Sequence, residues 1–417
     1  MHKLNVGCLC INNSLANLTF LLEVFVHKNH ILIVANTAWS VFNFRHGLLN
    51  RLLSDGYHVS VVAPNDKFSG KLNDMGCDVI DLPMSAKGVN PFDDIKLVVL
   101  LYRYYRKLNP DFIIHYTIKP NIYGSLAAKM AGIPSLAITT GLGYTFVNDN
   151  FIAKIARQLY KMAFRYPKEV WFLNEDDRQA FLAYSLVSEN KAKLLHGEGV
   201  NVSHFSPISS SSGSNSITFL LIARMLWDKG IGEYIEAARV IKSKYPNTHF
   251  QLLGACDVPN PSLISREQLS IWESEGIVEY LGTTDDVRAV IANVDCVVLP
   301  SYREGIPRTM LEAAAMAKPL IVSDAPGCKD VVINGKTGFL CKVKNRDSLA
   351  AAMELIINQS TQERVDMGVA GRNLVLQKFD EQVVIKKYID MLSRYNLSVS
   401  GVTIKRKVDS RVDSILS

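Results

Sequence analysis

Short apolar runs alternate with helix-length segments along nearly the whole chain, and this alternation limits the possible folds more than any other feature. In the first half, strand-like runs read at 30–36, 58–64, 77–83, 111–117, 135–140, 169–174 and 192–197. Helical segments fall between them, for example at 44–55, 93–108 and 121–131. In the second half, strands read at 217–223, 248–254, 278–282, 296–300, 319–324 and 337–342, with helices at 231–244, 284–293, 307–317 and 347–358. Runs such as "HILIVAN" and "CVVLP" are continuously apolar and valine-rich, as strands buried on both faces are. Strand and helix in alternation, with short connections, predict an α/β chain of parallel sheets covered on both sides. At 417 residues the chain is too long for one ordinary core, so two domains are expected. The serine-rich stretch 209–216, "SSSSGSNS", reads as the hinge between them. The domains are then expected at 29–208 and 209–375. Residues 1–28 read as a leader or an over-annotated extension, and 396–417 as a mobile tail.

Open parallel sheets bind ligands beyond the carboxyl ends of their strands, and one such edge carries unusual chemistry. In "VDCVVLPSYREGIPRTMLEAAAMAKPLIVSD", the strand ends at Pro300 and the chain breaks at Gly305 and Pro307. Glu304 sits in the loop, and Glu312 falls about five residues into the following helix, roughly 8 Å along its axis. Between them, a helix N-terminus offers N–H groups to an anion. A second strand-loop-helix, "SITFLLIARMLWDKGIGEYIEAARVI", places Arg224 and Lys229 in its loop. Two glutamates eight apart also fit a solvated loop and helix, and loop cations are ordinary surface residues. In combination, two carboxylates and two cations at strand ends fit a long ligand such as a nucleotide diphosphate sugar.

Other classes lose support. The turn after the first strand, "ANTAWSVFNFRHG", lacks the G-x-G-x-x-G of a dinucleotide site. A D-x-D motif for a metal-dependent sugar transferase is also missing. No cofactor and no metal site are expected, because cations and a helix dipole can meet a leaving diphosphate instead. Seven cysteines are scattered, and Cys8 and Cys10 lack a zinc-ligand partner set, so a reduced compartment is the default. No apolar stretch reaches membrane-spanning length.

Charge is uneven. Residues 96–168 hold eleven Lys and Arg against two acids, Asp111 and Asp149. Within them, the stretch 151–168 around "IARQLYKMAFRYP" puts Ile152, Ile155, Leu159 and Met162 on one helical stripe, surrounded by Lys154, Arg157, Lys161, Arg165 and Lys168. Such a helix suits an anionic lipid surface. It equally fits a core helix with a solvated basic face. Nucleic acid is the other ligand of a basic patch, and nothing else in the chain supports it.

"ARMLWDKGIGEYIEAA", "YLGTTDDV", the Glu304–Glu312 segment through "GKTGFL", and the N-terminal "ILIVANTAWSVFNFRHGLLNRLLSDGYHVSVVAP" together resemble glycosyltransferase family 4. The resemblance covers about residues 29–395. It is nearest to the bacterial branch that extends undecaprenyl-diphosphate-linked glycans for O-antigen, capsule or glycoprotein assembly. It implies a GT-B fold, two Rossmann-like domains facing across a cleft, with a final helix at about 362–395 whose end, 376–395, crosses back to the first domain. It also implies a retaining, metal-independent transfer of a hexose or N-acetylhexosamine from a UDP-sugar. In that reading Glu312 holds the ribose hydroxyls and Arg224 and Lys229 the diphosphate. Glu304 and the N–H groups of Gly305 and Ile306 meet the donor sugar and phosphate. On the acceptor side stand Lys119 in "TIKPNIYG", Gly141 and Gly143 in "TGLGY", and Asn43 and Arg45 after the first strand. Many members carry a histidine near "TTGLGY"; here Thr139 and Thr140 stand instead, and His115 and His196 read as structural. The implied location is cytoplasmic, peripheral on the inner face of the membrane. Alternatives are a nucleotide-sugar 2-epimerase of the same fold and a non-catalytic sugar-nucleotide-binding scaffold. The first needs acid/base carboxylates around the sugar's C2; the second predicts loss of a clamp residue.

Overall fold

The computed structural model describes residues 25–26, 29–84, 90–142, 151–208, 216–256, 260–397 and 402–403. The expected hinge, apart from Ser216, and Gly143 lie outside the described residues. So do most of the leader and tail, of which β1 (Phe25–Val26), its antiparallel partner β15 (Val402–Thr403), Asn29, Asn396 and Leu397 are described.

The first domain is a seven-stranded parallel sheet. Its elements are β2 (His30–Val34), α1 (Ala38–Ser54), β3 (His58–Ala63), α2 (Ser69–Asp74), β4 (Asp78–Asp81), α3 (Pro91–Leu108), β5 (Phe112–Tyr116), a π-helical turn (Pro120–Gly124), α4 (Ser125–Ala131), β6 (Ser135–Thr139), α5 (Phe151–Ala163), β7 (Glu169–Phe172), α6 (Glu175–Ala183) and β8 (Ala192–Leu194). The spatial order is β4-β3-β2-β5-β6-β7-β8. Strands β2, β5 and β6 are buried along their whole length, as their continuous apolar sequence requires. One core packs on each face of the sheet.

The second domain is a six-stranded parallel sheet built from β9 (Ile217–Ile222), α7 (Ile231–Lys244), β10 (Thr248–Leu253), α8 (Arg266–Ser274), β11 (Glu279–Tyr280), α9 (Arg288–Ala292), β12 (Cys296–Leu299), α10 (Arg308–Ala315), β13 (Leu320–Ser323), β14 (Gly338–Cys341) and α11 (Arg346–Asn358). It too has a core on each face. The strands lie where the apolar runs placed them. Helix boundaries differ. The N-cap of α1 is Thr37, which accepts from Ser40 N at 3.1 Å, so α1 begins six residues before the expected start at 44. The segment 284–293 is helical only over α9, because the Asp286 carboxylate takes the Arg288 N–H and holds a turn.

The single final helix expected at 362–395 is instead two, α12 (Thr361–Lys378) and α13 (Glu381–Arg394). At the break Asp380 caps α13, and Val200 pairs with the backbone on both sides, its N–H to Phe379 O and its carbonyl to Glu381 N. From there α13 enters the first domain's core: Val384, Ile385, Tyr388, Met391 and Leu392 pack in one cluster with β2, β5 and α1. The Tyr388 hydroxyl also lies 2.9 Å from that of Tyr116 at the end of β5.

Candidate active site

In the second sheet the strand order β11-β10-β9-β12-β13-β14 reverses between β9 and β12. Connections leave these neighbours in opposite directions, so a crevice opens beyond their carboxyl ends. Arg224 stands exposed just after β9, and Lys229 ends the short 3-10 turn Trp227–Lys229. Gly230 follows at φ 74, and a Cβ there would lie 2.2 Å from the Pro300 carbonyl oxygen. Only glycine lets this loop rest on the end of β12. On the other lip, Glu304 accepts from Lys229 Nζ at 2.5 Å, with the two side chains 14% and 17% exposed. Side chains 75 residues apart in sequence thus meet as a half-sequestered ion pair across the crevice.

Helix α10 starts at Arg308, so Glu312 is its fifth residue, as the spacing predicted. The N-cap, Pro307, provides no capping side chain for the first turn. Glu312 is 13% exposed and accepts from Arg308 Nε at 3.1 Å. Burial pushes the Glu312 carboxyl up from its ordinary pKa, and Arg308 opposes that shift. The same guanidinium lies 5.4 Å over the ring of Phe44 in α1, so Arg308 reaches both domains. Sequence reasoning missed Arg308, although an Arg four residues before a Glu on one helix is a visible i,i+4 pair.

The first sheet has its own switch point, between β2 and β5. Lys119 lies just beyond β5 and is paired at 3.2 Å with Asp94 of α3, both carboxylate and ammonium mostly buried. Asn43 is partly exposed and donates to the Trp39 carbonyl in its own helix. Gly141 faces Gly305 across the domain boundary, where a Cβ on it would stand 3.5 Å from the Gly305 nitrogen. Arg45 departs from its expected place at the acceptor surface. It is 4% exposed, bonded to Glu198 at 2.5 Å and to the Ser40 carbonyl, and stacked 3.9 Å from the Tyr116 ring centroid. A guanidinium so enclosed, with both terminal nitrogens engaged, is a structural cation. Burial pushes the Glu198 carboxyl up, while Arg45 and Arg308 pull it down. His115 is buried against the Tyr105 hydroxyl, and burial lowers its pKa to about 3. Burial likewise lowers that of His196 to about 4, helped by Lys387 and Lys378.

Several interdomain contacts had no sequence signal. Asn174 had been read as the end of a strand; β7 stops at Phe172, and Asn174 caps α6 instead. Its side chain also reaches the carbonyls of Glu304 and Gly305. Nearby, Asp177 pairs with Arg303 and Asp176 with Lys329. Gly305 is required here, because a Cβ would lie 2.4 Å from the Thr140 oxygen.

Helix α5 forms where the basic amphipathic stretch was read. It buries Ala153, Tyr160 and Ala163 and exposes Lys154, Ile155, Lys161 and Met162, while Leu159 packs at the core's edge. The side chain of Ile152 lies outside the described residues. Arg157 stacks 4.6 Å from the Tyr184 ring. Helix α3 exposes Phe92 (76%), Ile95 and Val99 on one stripe. Two surface cavities of about 750 and 590 Å³ lie at the amino edge of β7 and β8, lined in part by Lys161, Arg165, Lys168 and Lys191. They are remote from the charged crevice, and their basic lining continues that of α5. No helix of the described residues is long and apolar enough to cross a membrane.

Comparison with known proteins agrees with this architecture. Residues 30–174 match the model "Glycosyl transferase 4-like", and residues 205–374 match "Glycosyl transferases group 1". The chain is 33% identical to the N,N'-diacetylbacillosaminyl-diphospho-undecaprenol alpha-1,3-N-acetylgalactosaminyltransferase of Campylobacter jejuni, over 85% of this chain and 96% of that protein. It is 25% identical to the UDP-Gal:alpha-D-GlcNAc-diphosphoundecaprenol alpha-1,3-galactosyltransferase of Escherichia coli, over 85% of this chain and 98% of that one. Among solved structures, Anabaena HepE in complex with UDP superposes with a TM-score of 0.71 at 19% identity, covering 88% of this chain and all of that one. With two parallel-sheet domains, charged strand ends and relatives of nearly equal length, the chain belongs to the GT4-like glycosyltransferases of GT-B fold.

Proposed function

We propose that this enzyme transfers a hexose or N-acetylhexosamine, with retention, from a UDP-sugar to an undecaprenyl-diphosphate-linked glycan. The observation that carries this reading is the meeting of Lys229 with Glu304 at the β9/β12 crevice, with Arg224 in the same loop as Lys229 and the Arg308–Glu312 pair opening the helix that follows Glu304. Both undecaprenol-linked relatives act on such acceptors by name, and one uses UDP-galactose.

The donor diphosphate lies between Arg224 and Lys229 on one lip and the N–H groups of Gly305 and Ile306 on the other. As the bond from the anomeric carbon to the phosphate oxygen breaks, negative charge grows on the departing diphosphate. Cations and N–H groups already aimed at that position stabilise it without reorganising. The pair with Glu304 holds the Lys229 ammonium in place, so less side-chain freedom is lost when donor binds. Glu312, near the ribose, accepts its hydroxyls, with Arg308 keeping the carboxylate charged against its burial. Glu304 stands beside the transferred sugar. The clamp needs no divalent ion. On the acceptor side, Lys119 meets the lipid diphosphate.

The enzyme docks on the anionic inner surface of the membrane through its first domain. The exposed Lys154, Lys161, Ile155 and Met162 of α5 support this, as does the apolar stripe of α3. Each basic residue near such a surface contributes about 1 kcal/mol, which salt screens.

The test is a panel of nucleotide sugars offered with undecaprenyl-diphosphate-linked acceptors in anionic vesicles, with product mass as readout. One sugar should be added with UDP release, EDTA should leave the rate unchanged, and high salt should detach the enzyme from the vesicles. Interconversion of donor sugars without transfer would establish the epimerase. A rate abolished by EDTA and restored by magnesium would refute the metal-free clamp.

A further inference from the structure

We propose that Asn174 is a positioning residue for transfer: from the first domain, its carboxamide aims the backbone N–H groups of Gly305 and Ile306 in the second. The inference rests on the donor-site reading given above and adds to it a residue that neither the spacing of the charged motifs nor the relatives' names point to.

Asn174 is 1% exposed, at the boundary between the domains. Its backbone is extended, φ −137 and ψ 160, as an N-cap requires, and its Oδ1 accepts from Asp177 N at 2.8 Å. Serine, threonine or aspartate would cap α6 as well. What they lack is the second half of the amide. Nδ2 donates to the Gly305 carbonyl at 2.6 Å and approaches the Glu304 carbonyl at 3.3 Å. One planar group therefore has its acceptor on its own helix and its donor on the other domain's loop.

The consequence follows from peptide geometry. The carbonyl of Glu304 shares a rigid trans plane with the N–H of Gly305, and the carbonyl of Gly305 shares one with the N–H of Ile306. Gripping the two oxygens fixes the direction of the two N–H groups. Among the described residues, neither N–H donates a hydrogen bond to the protein. They are free to meet a diphosphate. Three further contacts hold the same joint: Arg303 with the buried Asp177, Lys329 with Asp176, and Ile306 against Gly197. The loop thus takes its working orientation only while the first domain is in contact with it.

Asn174→Asp separates the two roles. A carboxylate keeps the cap but brings its charge against two carbonyl oxygens. We expect turnover to fall about 10- to 100-fold, the scale of a small misplacement of reacting groups. UDP affinity should fall along with turnover, because the same N–H groups meet the diphosphate, while Asn174→Ser, which is neutral and keeps the cap, should lose turnover similarly with its melting temperature near wild type. Turnover of Asn174→Asp within twofold of wild type would overturn the proposal, because a cap is all that Asn174 would then supply. A melting temperature of Asn174→Ser that drops in step with its turnover would overturn it too, by showing general damage. Glu304→Ala and Lys229→Ala serve as controls. If they remain fully active, the donor-site reading itself fails, whereas inactive controls beside an active Asn174→Asp reject the positioning role alone.

Discussion

At the switch point of the second sheet, Arg224, Lys229 and Glu304 come from two loops, and Arg308 and Glu312 from the first turns of the next helix. At the switch point of the first sheet, Lys119 is matched with Asp94 from another helix, Asn43 bonds within its own helix, and Arg45 is sealed against Glu198 and Tyr116. The same topology opens a crevice in both domains, but the chemistry is distributed differently. A nucleotide diphosphate is a fixed shape, and short strand-loop-helix units can hold its charges at set distances. A glycan on a lipid carrier varies in its sugars and is presented by a surface. The first domain exposes basic and apolar helix faces, as the proposed acceptor side would require.

Removing Lys229 should break this contrast most visibly. Lys229→Ala is expected to lower turnover about a hundredfold or more, on the scale of losing one oxyanion donor. It also leaves Glu304 mostly buried without its partner. Steady-state kinetics at saturating donor measure this, and a change below threefold would mean that the pair is an ordinary salt bridge between two loops of the second domain.

A smaller and more selective pair of effects separates the two crevices. Glu312→Ala should weaken UDP binding by roughly 10- to 100-fold, the equivalent of about 1.5–3 kcal/mol for hydrogen bonds to a charged group. Lys119→Ala should leave UDP affinity alone and raise the acceptor KM several-fold. Calorimetry with UDP and kinetics with varied acceptor give the two numbers. If Lys119→Ala weakened UDP instead, Lys119 would belong to the donor site.

The smallest effect concerns stability in acid and belongs to the first domain. Burial holds the His115 pKa near 3 in the folded protein, against an unfolded value of about 6.5. Between those values the unfolded chain binds more protons, so stability falls as pH drops below about 6.5 and is restored above it. The cost grows by roughly 1.4 kcal/mol per pH unit for such a group. His115→Asn should therefore lose less stability than wild type between pH 7 and 5, read as the change in melting temperature. Parallel losses in both proteins would assign the acid sensitivity elsewhere.

Legibility in the sequence tracked the range of the interaction. Glu304, Glu312, Arg224 and Lys229 could be read because each lies at a fixed offset from a strand end or a helix start, and those ends announce themselves by apolar runs, glycine and proline. Arg45 could not be placed correctly. Its partner Glu198 is 153 residues away, and only the folded chain reveals that the guanidinium points inward. The final helix was read as continuous because helical periodicity runs through 379–380; a β-bridge from Val200, unseen in local sequence, breaks it.

The sequence by itself determined two stacks of parallel strands and the ionic groups that stand at the carboxyl edge of the second. These follow from local pattern, since burial on both faces demands apolar runs and a strand end demands a turn. Tertiary structure alone decided which groups meet. It joined Lys229 to Glu304, split the final helix at Val200, and set the amide of Asn174 on the Glu304–Gly305 loop. Such contacts depend on how loops and helices far apart in sequence, within one sheet or across the two, come to face each other, and no local periodicity encodes that geometry.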